Sequence, residues 1–345
     1  MASKEPEIHA VLLVGGRGER FWPLSTPEQP KQFLRIFTDK TMVEETVDRI
    51  CSIIPKTNIH YVLPPHLESL LRKTVKGIKA KNMIIEPEAR NTAPAIALAA
   101  RALSHKPDAV MAVLPADHLI TPRRTFHADL KEAARLAQEG FLVTFGIPPV
   151  RPETGYGYIE IDRNKPLRKP GFKVKRFREK PDLKTAARYL KSGNFLWNSG
   201  MFVWRVDTII NAFSVHHTKI YSSLLVPGAT APTEKSYKRL DSISIDYAIM
   251  EKADNTAVVP ARFRWDDVGS WTALERHLEP SLDKNVNIGK LIYRDSEGCI
   301  AIAEDGEIAL FGVRDLVVVK TRDTVLVCAK ERAAEIKKLL SARDP

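Results

Sequence analysis

A chain of 345 residues with 44% hydrophobic and 28% charged residues can build one large core, or a large domain with a small second one, because single cores stop growing near ~250–300 residues. A mean hydropathy of -0.21 excludes disordered, collagen-like and membrane-embedded classes; no apolar run reaches the ~20 residues that span a bilayer, and Met1–Ile8 lacks the basic and apolar regions of a signal peptide, so a cytoplasmic location is expected. The formal net charge of +11 would suit a nucleic-acid binder, but residues 286–345 are neutral overall, and the excess concentrates between Arg163 and Lys180, where nine basic residues face one acid. That segment alternates around Phe172, Val174 and Phe177 with Pro170-Gly171 at its turn, which predicts a hairpin. Its basic face is either a solvated strand surface or a means of raising the local concentration of a polyanionic substrate. Without zinc-finger spacing, an aromatic RNA-binding motif or basic heptads, no nucleic acid is expected as partner.

From Ile8 to about Gly146 the pattern is β-α-β-α: strands at Ala10–Val14, Ile59–Leu63, Met83–Glu86, Ala109–Leu114 and Phe141–Phe145 alternate with helices at Val43–Ile54, Leu67–Ile78, Ala93–Leu103 and Phe126–Ala137. This order predicts an α/β fold, a Rossmann-like, mostly parallel sheet with helices on both faces and ligands outside the carboxyl ends of the strands. From about Gly155 to Phe263 the text becomes hairpin-like, as if a second lobe extended the same sheet. Residues 286–329 hold short β runs (Cys299–Ala303, Ile308–Phe311, Leu316–Lys320, Val325–Cys328) followed by an amphipathic helix from Lys330 to about Leu340. The expected division is a domain over 1–283 and a small β-rich domain over 284–345. The three cysteines, Cys51, Cys299 and Cys328, show no Cys-x-x-Cys spacing and read as core residues.

Directly after the first strand stands Gly15-Gly16-Arg17-Gly18-Glu19-Arg20-Phe21-Trp22-Pro23-Leu24-Ser25, and Lys31 follows within Pro30-Lys31-Gln32-Phe33. Phe21 occupies the place where a dinucleotide loop needs glycine, and no Gly-Lys-Ser/Thr ends the run, so neither standard phosphate loop is present. Two cations, Arg20 and Lys31, on a glycine loop at the carboxyl edge of a sheet suit charge developing on a transferred phosphoryl group. A tight strand-to-helix turn is the plain alternative. Further along, Glu86-Pro87-Glu88-Ala89-Arg90-Asn91-Thr92 opens a helix with Thr92 as expected N-cap, its free N–H groups pointing into the cleft. Asp117, at the end of its strand, and Asp266-Asp267 before Gly269 have the character of a Mg²⁺ site, since that ion takes one or two carboxylates plus phosphate oxygens and water.

These motifs together resemble the sugar-1-phosphate nucleotidylyltransferases, and the text Phe21-Trp22-Pro23-Leu24-Ser25, Pro30-Lys31-Gln32-Phe33 and Arg90-Asn91-Thr92-Ala93-Pro94 is similar to the mannose-1-phosphate guanylyltransferase subgroup. The resemblance runs from about residue 8 to the end and implies a nucleotidyltransferase domain with a partial left-handed β-helix-like C-terminal domain. It implies that Gly15, Gly16, Gly18, Arg20, Glu86, Asn91, Thr92 and Asp117 bind the nucleotide. Glu86 is assigned to the guanine edge, with Glu88 or a backbone group as alternatives. Gly157, Glu179, Lys180 and Asn198 would form the sugar-phosphate pocket, Asp117 and Asp267 (Asp266 as fallback) would hold Mg²⁺, and Arg20, Lys31, Asp117 and Asp267 would be catalytic. The implied reaction transfers GMP from GTP to mannose 1-phosphate, giving GDP-mannose and pyrophosphate; the same chemistry on another nucleotide or sugar is the alternative. The rival from another class is a binding protein that keeps the fold without turnover. The resemblance also implies a homodimer and, because longer members carry a further isomerase domain, no phosphomannose isomerase activity. Asp246, within Ser244-Ile245-Asp246-Tyr247, has no role beyond a possible helix cap at this level.

Overall fold

In the computed structural model, residues 6–16, 18–167, 170–228 and 232–341 are described; Arg17 of the glycine loop and Arg168 and Lys169 of the basic segment lie outside them. The strands in chain order are β1 (Ile8–Leu13), β2 (Ile59–Leu63), β3 (Met83–Ile85), β4 (Val110–Pro115), β5 (Leu119–Thr121), β6 (Leu142–Ile147), β7 (Tyr158–Pro166), β8 (Phe172–Arg178), β9 (Phe195–Arg205), β10 (Thr256–Pro260), β11 (Arg264–Asp266), β12 (Val286–Arg294), β13 (Ile300–Phe311), β14 (Leu316–Lys320) and β15 (Val325–Ala329). Nine of them form one sheet in the order β3-β2-β1-β4-β9-β6-β10-β8-β7. β1 pairs in parallel with β2 and β4, β2 with β3, and β6 with β10, whereas β9 runs antiparallel between β4 and β6.

Period-two alternation decides which side of the sheet each residue serves. Ala10 and Leu12 of β1 join one core layer with α1 (Met42–Ile50), α2 (Glu68–Thr74), α4 (Arg123–Gln138) and α5 (Leu183–Ser192), while Val11 faces the layer under α3 (Thr92–Ala102) and α6 (Val206–His216). The sheet therefore has helices on both faces, as the alternating pattern predicts. α1 is fixed at its start by a capping box, Thr41 Oγ1 accepting from Glu44 N and the Glu44 carboxylate from Thr41 N. Two helices are shorter than their apolar pattern: α1 ends at Ile50 ahead of Pro55, and α2 ends at Thr74, ahead of Gly77 at φ 82°. The basic hairpin is β7–β8 on the sheet edge, where Lys175 and Arg176 both lie near Glu160, at 3.0 and 3.5 Å.

The C-terminal strands form a separate coil in which β12, β13 and β14 stack in parallel and β15 returns antiparallel. The two short strands expected at Cys299–Ala303 and Ile308–Phe311 are one bent strand, β13, whose two ends both pair with β12 across a shift between Ile288 and Lys290. The closing helix is α-helical only over Ile336–Leu340; Lys330–Glu335 is a 3-10 turn. This coil does not stand apart. Val286, Ile302, Val319 and Ile336 share one buried cluster with Phe21, Leu34, Val268 and Trp271 of the large domain, and the Phe21 and Trp271 rings lie 4.7 Å apart. Among the described residues no helix is long and apolar enough to cross a membrane.

Because Ile302 is 1% exposed within that shared cluster, Ile302→Ala is expected to cost about 2–5 kcal/mol. Urea unfolding should show the loss as one transition that includes the large domain, not as separate melting of the coil.

Candidate active site at the carboxyl ends of the strands

The sheet brings the glycine loop and Asp117 side by side, because β1 and β4 are neighbours with Leu13 opposite Pro115, and both loops leave at that end. Gly18 takes φ 64°, and a Cβ there would lie 2.3 Å from Lys31 Cβ; the loop thus folds directly against the lysine that follows it. Ser25 Oγ donates to Gly18 O at 2.7 Å, and the buried Gln32 amide donates to Val14 O at 2.7 Å, pinning both ends of the loop. Gln32 was not singled out by its sequence, since its role depends on what the fold places behind it.

Lys31 is 5% exposed and donates to Asp117 Oδ2 at 3.0 Å and to the backbone carbonyl of Asp267 at 2.6 Å. A buried ammonium needs such partners to stay charged. Burial works against ionisation of Asp117, but the charges of Lys31 and His118 and the Lys31 hydrogen bond outweigh it, and its carboxyl is held below the usual range. Next to it, His118 accepts from Trp265 Nε1 at 3.1 Å through Nδ1, which places its proton on Nε2; burial keeps the ring below the ordinary histidine value.

The second acid loop arrives through a small ribbon, β5 paired antiparallel with β11, with Leu119 opposite Asp266. Its two adjacent acids have opposite fates. Asp266 accepts from Arg276 at 2.6 and 2.9 Å, from His277 at 2.9 Å and from Val268 N at 2.8 Å, and these donors overcome its burial and hold its carboxyl far below the usual range. Asp266 is thus fully engaged as a structural anchor, which removes it as the fallback metal ligand. Asp267 turns the other way: Tyr156 donates to its Oδ1 at 2.6 Å, and Val268, at φ 47° and buried, ends the ribbon. Arg20, exposed, reaches the same loop with a 3.4 Å bond to Gly269 O.

Asp117 Oδ1 and Asp267 Oδ2 have no side-chain partner among the described residues, and no group of three or more His, Cys, Asp or Glu gathers there. Two open carboxylate oxygens without a protein cage match what Mg²⁺ takes when a ligand's phosphates complete its shell.

On the far side of the glycine loop, Glu86 is 6% exposed, and its Oε1 accepts from Tyr237 at 3.0 Å and Arg90 N at 3.3 Å; burial raises its pKa. Its Oε2 stands 3.6 Å from where a Cβ on Gly15 would be, so one oxygen remains toward the loop. Glu88 instead lies near Arg90 and Lys238. Thr92 is not the cap: Asn91, at φ 67°, accepts from Thr92 N at 2.8 Å, and Ala93 N donates to Ile243 O at 3.1 Å. With Pro94 lacking a donor, the first three residues of α3 offer no free N–H, contrary to the expectation from the helix start. Thr92 Oγ1 accepts from Ile245 N at 2.9 Å.

Gly157, Glu179, Lys180 and Asn198 converge on a cleft of about 230 Å³ that also touches Asp267 and Asp246. A Cβ on Gly157 would meet Glu179 Oε2 at 2.4 Å. Lys180, at φ 44°, pairs with Glu179 Oε1 at 3.1 Å, and Asn198 Nδ2 donates to Asp246 Oδ1 at 2.8 Å. Asp246 is the site residue whose place the sequence did not reveal. A larger groove of about 1020 Å³ lies at the opposite, amino end of the strands beside Ile8, Asn58 and Lys106, and shares no residue with the cleft.

The sequence model of the family described as "Nucleotidyl transferase" matches residues 9–283, and that described as "MannoseP isomerase/GMP-like beta-helix domain" matches 289–342. The chain belongs to the nucleotidyl transferase family. Among members of this family, a mannose-1-phosphate guanylyltransferase of Salmonella montevideo is 37% identical over 96% of this chain and 73% of that protein. A solved structure from Thermus thermophilus, described as a mannose-1-phosphate geranyltransferase, superposes with TM-score 0.90 at 36% identity, covering 98% of this chain and all of that one. Another, a mannose-6-phosphate isomerase from Helicobacter pylori, gives 0.62 at 30% identity over 75% of this chain and 99% of that one. The nucleotidyl transferase domain thus carries the mixed sheet and the cleft, and the β-helix domain carries the coil packed on Phe21 and Trp271.

Two outcomes follow from this geometry. Asp266→Asn removes the counter-charge of the partly exposed Arg276 and weakens the bonds that Asp266 accepts, and is expected to cost about 1–3 kcal/mol at pH 7. Since the folded pKa of Asp266 is depressed, its contribution is present above the ordinary carboxylate pKa and is lost as pH falls through the folded value; urea midpoints of wild type and variant should therefore converge on acidification. Gly18→Ala forces a Cβ into Lys31 and should disturb the ammonium, read as increased acetylation of Lys31 by mass spectrometry under native conditions.

Proposed function

We propose that this protein transfers GMP from GTP to mannose 1-phosphate, forming GDP-mannose and pyrophosphate. The observation that carries the reading is the buried Lys31 ammonium held between Asp117 and the Asp267 carbonyl, at the place where the glycine loop and the sugar-side cleft meet. In this reading a phosphate oxygen of mannose 1-phosphate attacks the α-phosphorus of GTP in line. The new P–O bond forms as the bond to the bridging oxygen breaks, and pyrophosphate leaves with that electron pair. No covalent intermediate on the protein is needed, so catalysis rests on positioning and electrostatic stabilisation.

Lys31 stabilises charge on the α-phosphate, Arg20 with Gly15, Gly16 and Gly18 holds the leaving pyrophosphate, and Glu86 Oε2 accepts from the guanine edge, with Asn91 and Thr92 beside the nucleotide. Gly157, Glu179 and Asn198 receive the sugar and Lys180 its phosphate. Asp117 and Asp267 would hold Mg²⁺, which supplies neutralisation of phosphate charge when bound. Tyr156 keeps the Asp267 carboxylate oriented through its 2.6 Å bond. The name of the Salmonella relative supports the base and sugar named here, and that of the Thermus structure supports the sugar. We further propose a cytoplasmic homodimer without nucleic-acid partners, divided at residues 1–283 and 284–345.

Pyrophosphate release with GTP and mannose 1-phosphate, run beside ATP, UTP, dTTP and glucose 1-phosphate, tests the proposal. Turnover is expected only with the first pair and only with added Mg²⁺, and Lys31→Ala and Asp267→Ala should each lose roughly 10²–10³ in rate. Preference for another pair overturns the substrates but keeps the chemistry.

A further inference from the structure

The sugar-side cleft contains an acceptor without a donor. Glu179 has a side chain 10% exposed, and while its Oε1 pairs with Lys180, its Oε2 is buried with no hydrogen-bond partner, directly beside Gly157. A buried carboxylate oxygen left unpaired is costly, so it is expected to be satisfied by something that enters. The same cleft is also lined by Asp246, on a turn of π-helix over Asp246–Met250 far away in sequence. Its orientation is fixed by a chain of bonds. Gly200 N donates to Asn198 Oδ1 at 3.3 Å, and the single Thr144 hydroxyl proton lies between that oxygen at 3.1 Å and Met201 O at 2.9 Å, which leaves the amide nitrogen outward to donate to Asp246 Oδ1. The segment before it is tied to α3 by Ile245 N donating to Thr92 Oγ1.

We propose that Asp246 is a specificity-determining residue of this cleft, forming with Glu179 a pair of carboxylate acceptors that takes two hydroxyl donors of one sugar ring. The inference rests on the sugar-phosphate reading of the cleft and adds to it the group that selects among sugars. A pair of acceptors lining one cleft rejects a ring that lacks a hydroxyl at the matching position, because an acceptor is then left unpaired. Burial and the nearby charge of Glu179 lift the Asp246 carboxyl to about 6. The charged groups about it are Glu179, with Lys180 on that residue's other oxygen and Glu251 accepting from its backbone N–H at 3.2 Å, and Asp267 and His118 farther along the cleft. Asp246 therefore offers a fully ionised acceptor only above about pH 6.

The test is calorimetric binding of mannose 1-phosphate and its 2-, 3-, 4- and 6-deoxy analogues to wild type and to Asp246→Asn, with Asp246→Ser as a second variant should the first fail to fold. For wild type, removing either of two particular hydroxyls is expected to weaken binding tenfold or more, and the variant should lose most of the discrimination at one of the two while keeping it at the other. The ratio of wild-type to variant affinity for mannose 1-phosphate should also rise as pH increases through about 6. The substrate's own second phosphate ionisation, also near ~6, is common to both proteins and cancels in the ratio. A variant that loses the same factor on every analogue, with a ratio independent of pH, overturns the proposal and leaves Asp246 as a support for Asn198. Wild type that binds no sugar phosphate overturns it together with the reading of the cleft. Hydroxyl-selective binding without nucleotide transfer keeps Asp246 and overturns the proposed reaction instead.

Discussion

Everything around the cleft is arranged about one buried cation. An ammonium that is 5% exposed is stable only where oxygen atoms replace the water it has lost, and Lys31 finds them on two loops distant in sequence, the Asp117 carboxylate and the Asp267 carbonyl. The glycine at position 18 allows the loop to lie against the lysine stem, and the lysine in turn gathers the ends of β4 and β11. Three segments that would otherwise vary independently thus share one electrostatic minimum. The apolar cluster that includes Phe21, Val268 and Trp271, with Leu119 packed against it, backs the same three segments from behind and continues into the C-terminal coil. Charge on one side and oily packing on the other leave these loops little freedom to spread.

The antiparallel strand β9 has a similar unifying part. It pairs with β4, which leads to Asp117, and with β6 and β7, and it carries Asn198 into the cleft. Both halves of a ligand lying across the carboxyl ends would be held by strands bonded to the same neighbour. Distances between the two halves are set by the sheet's spacing and not by flexible connections.

Much of this was readable in the sequence because it is local. The parallel order follows from apolar periods, the loop from Gly15-Gly16 and Gly18 after a strand, and the basic hairpin from period-two alternation about Phe172 and Val174. What escaped reading depends on partners far along the chain. Whether Asp266 or Asp267 faces the cleft is decided by Arg276 and His277, which claim the former. Asn91 rather than Thr92 caps α3 because the Thr92 hydroxyl is engaged by Ile245, and Asp246 acquires its neighbourhood from Asn198 and Glu179. Nor does any periodicity announce that β13 bends as one strand, since Gly306 at φ 71° interrupts the pattern in a way that also suits a turn between two.

The ribbon of β5 and β11 has a bearing on how this protein can change over evolutionary time. Neighbouring residues of a strand point to opposite sides, so moving the ribbon by one position would either bring Asp267 to Arg276 and leave Val268 facing Tyr156, or bring Asp266 to Tyr156 and leave Trp265 facing Arg276. Either slip preserves composition yet leaves one of the two places, the anchor or the open carboxylate, with an apolar side chain. Insertions or deletions between Asp117 and Leu119, or between Phe263 and Gly269, therefore change parity before they change length. A connection such as 148–154 lies outside these strands, and a change of length there leaves the two acids in their places.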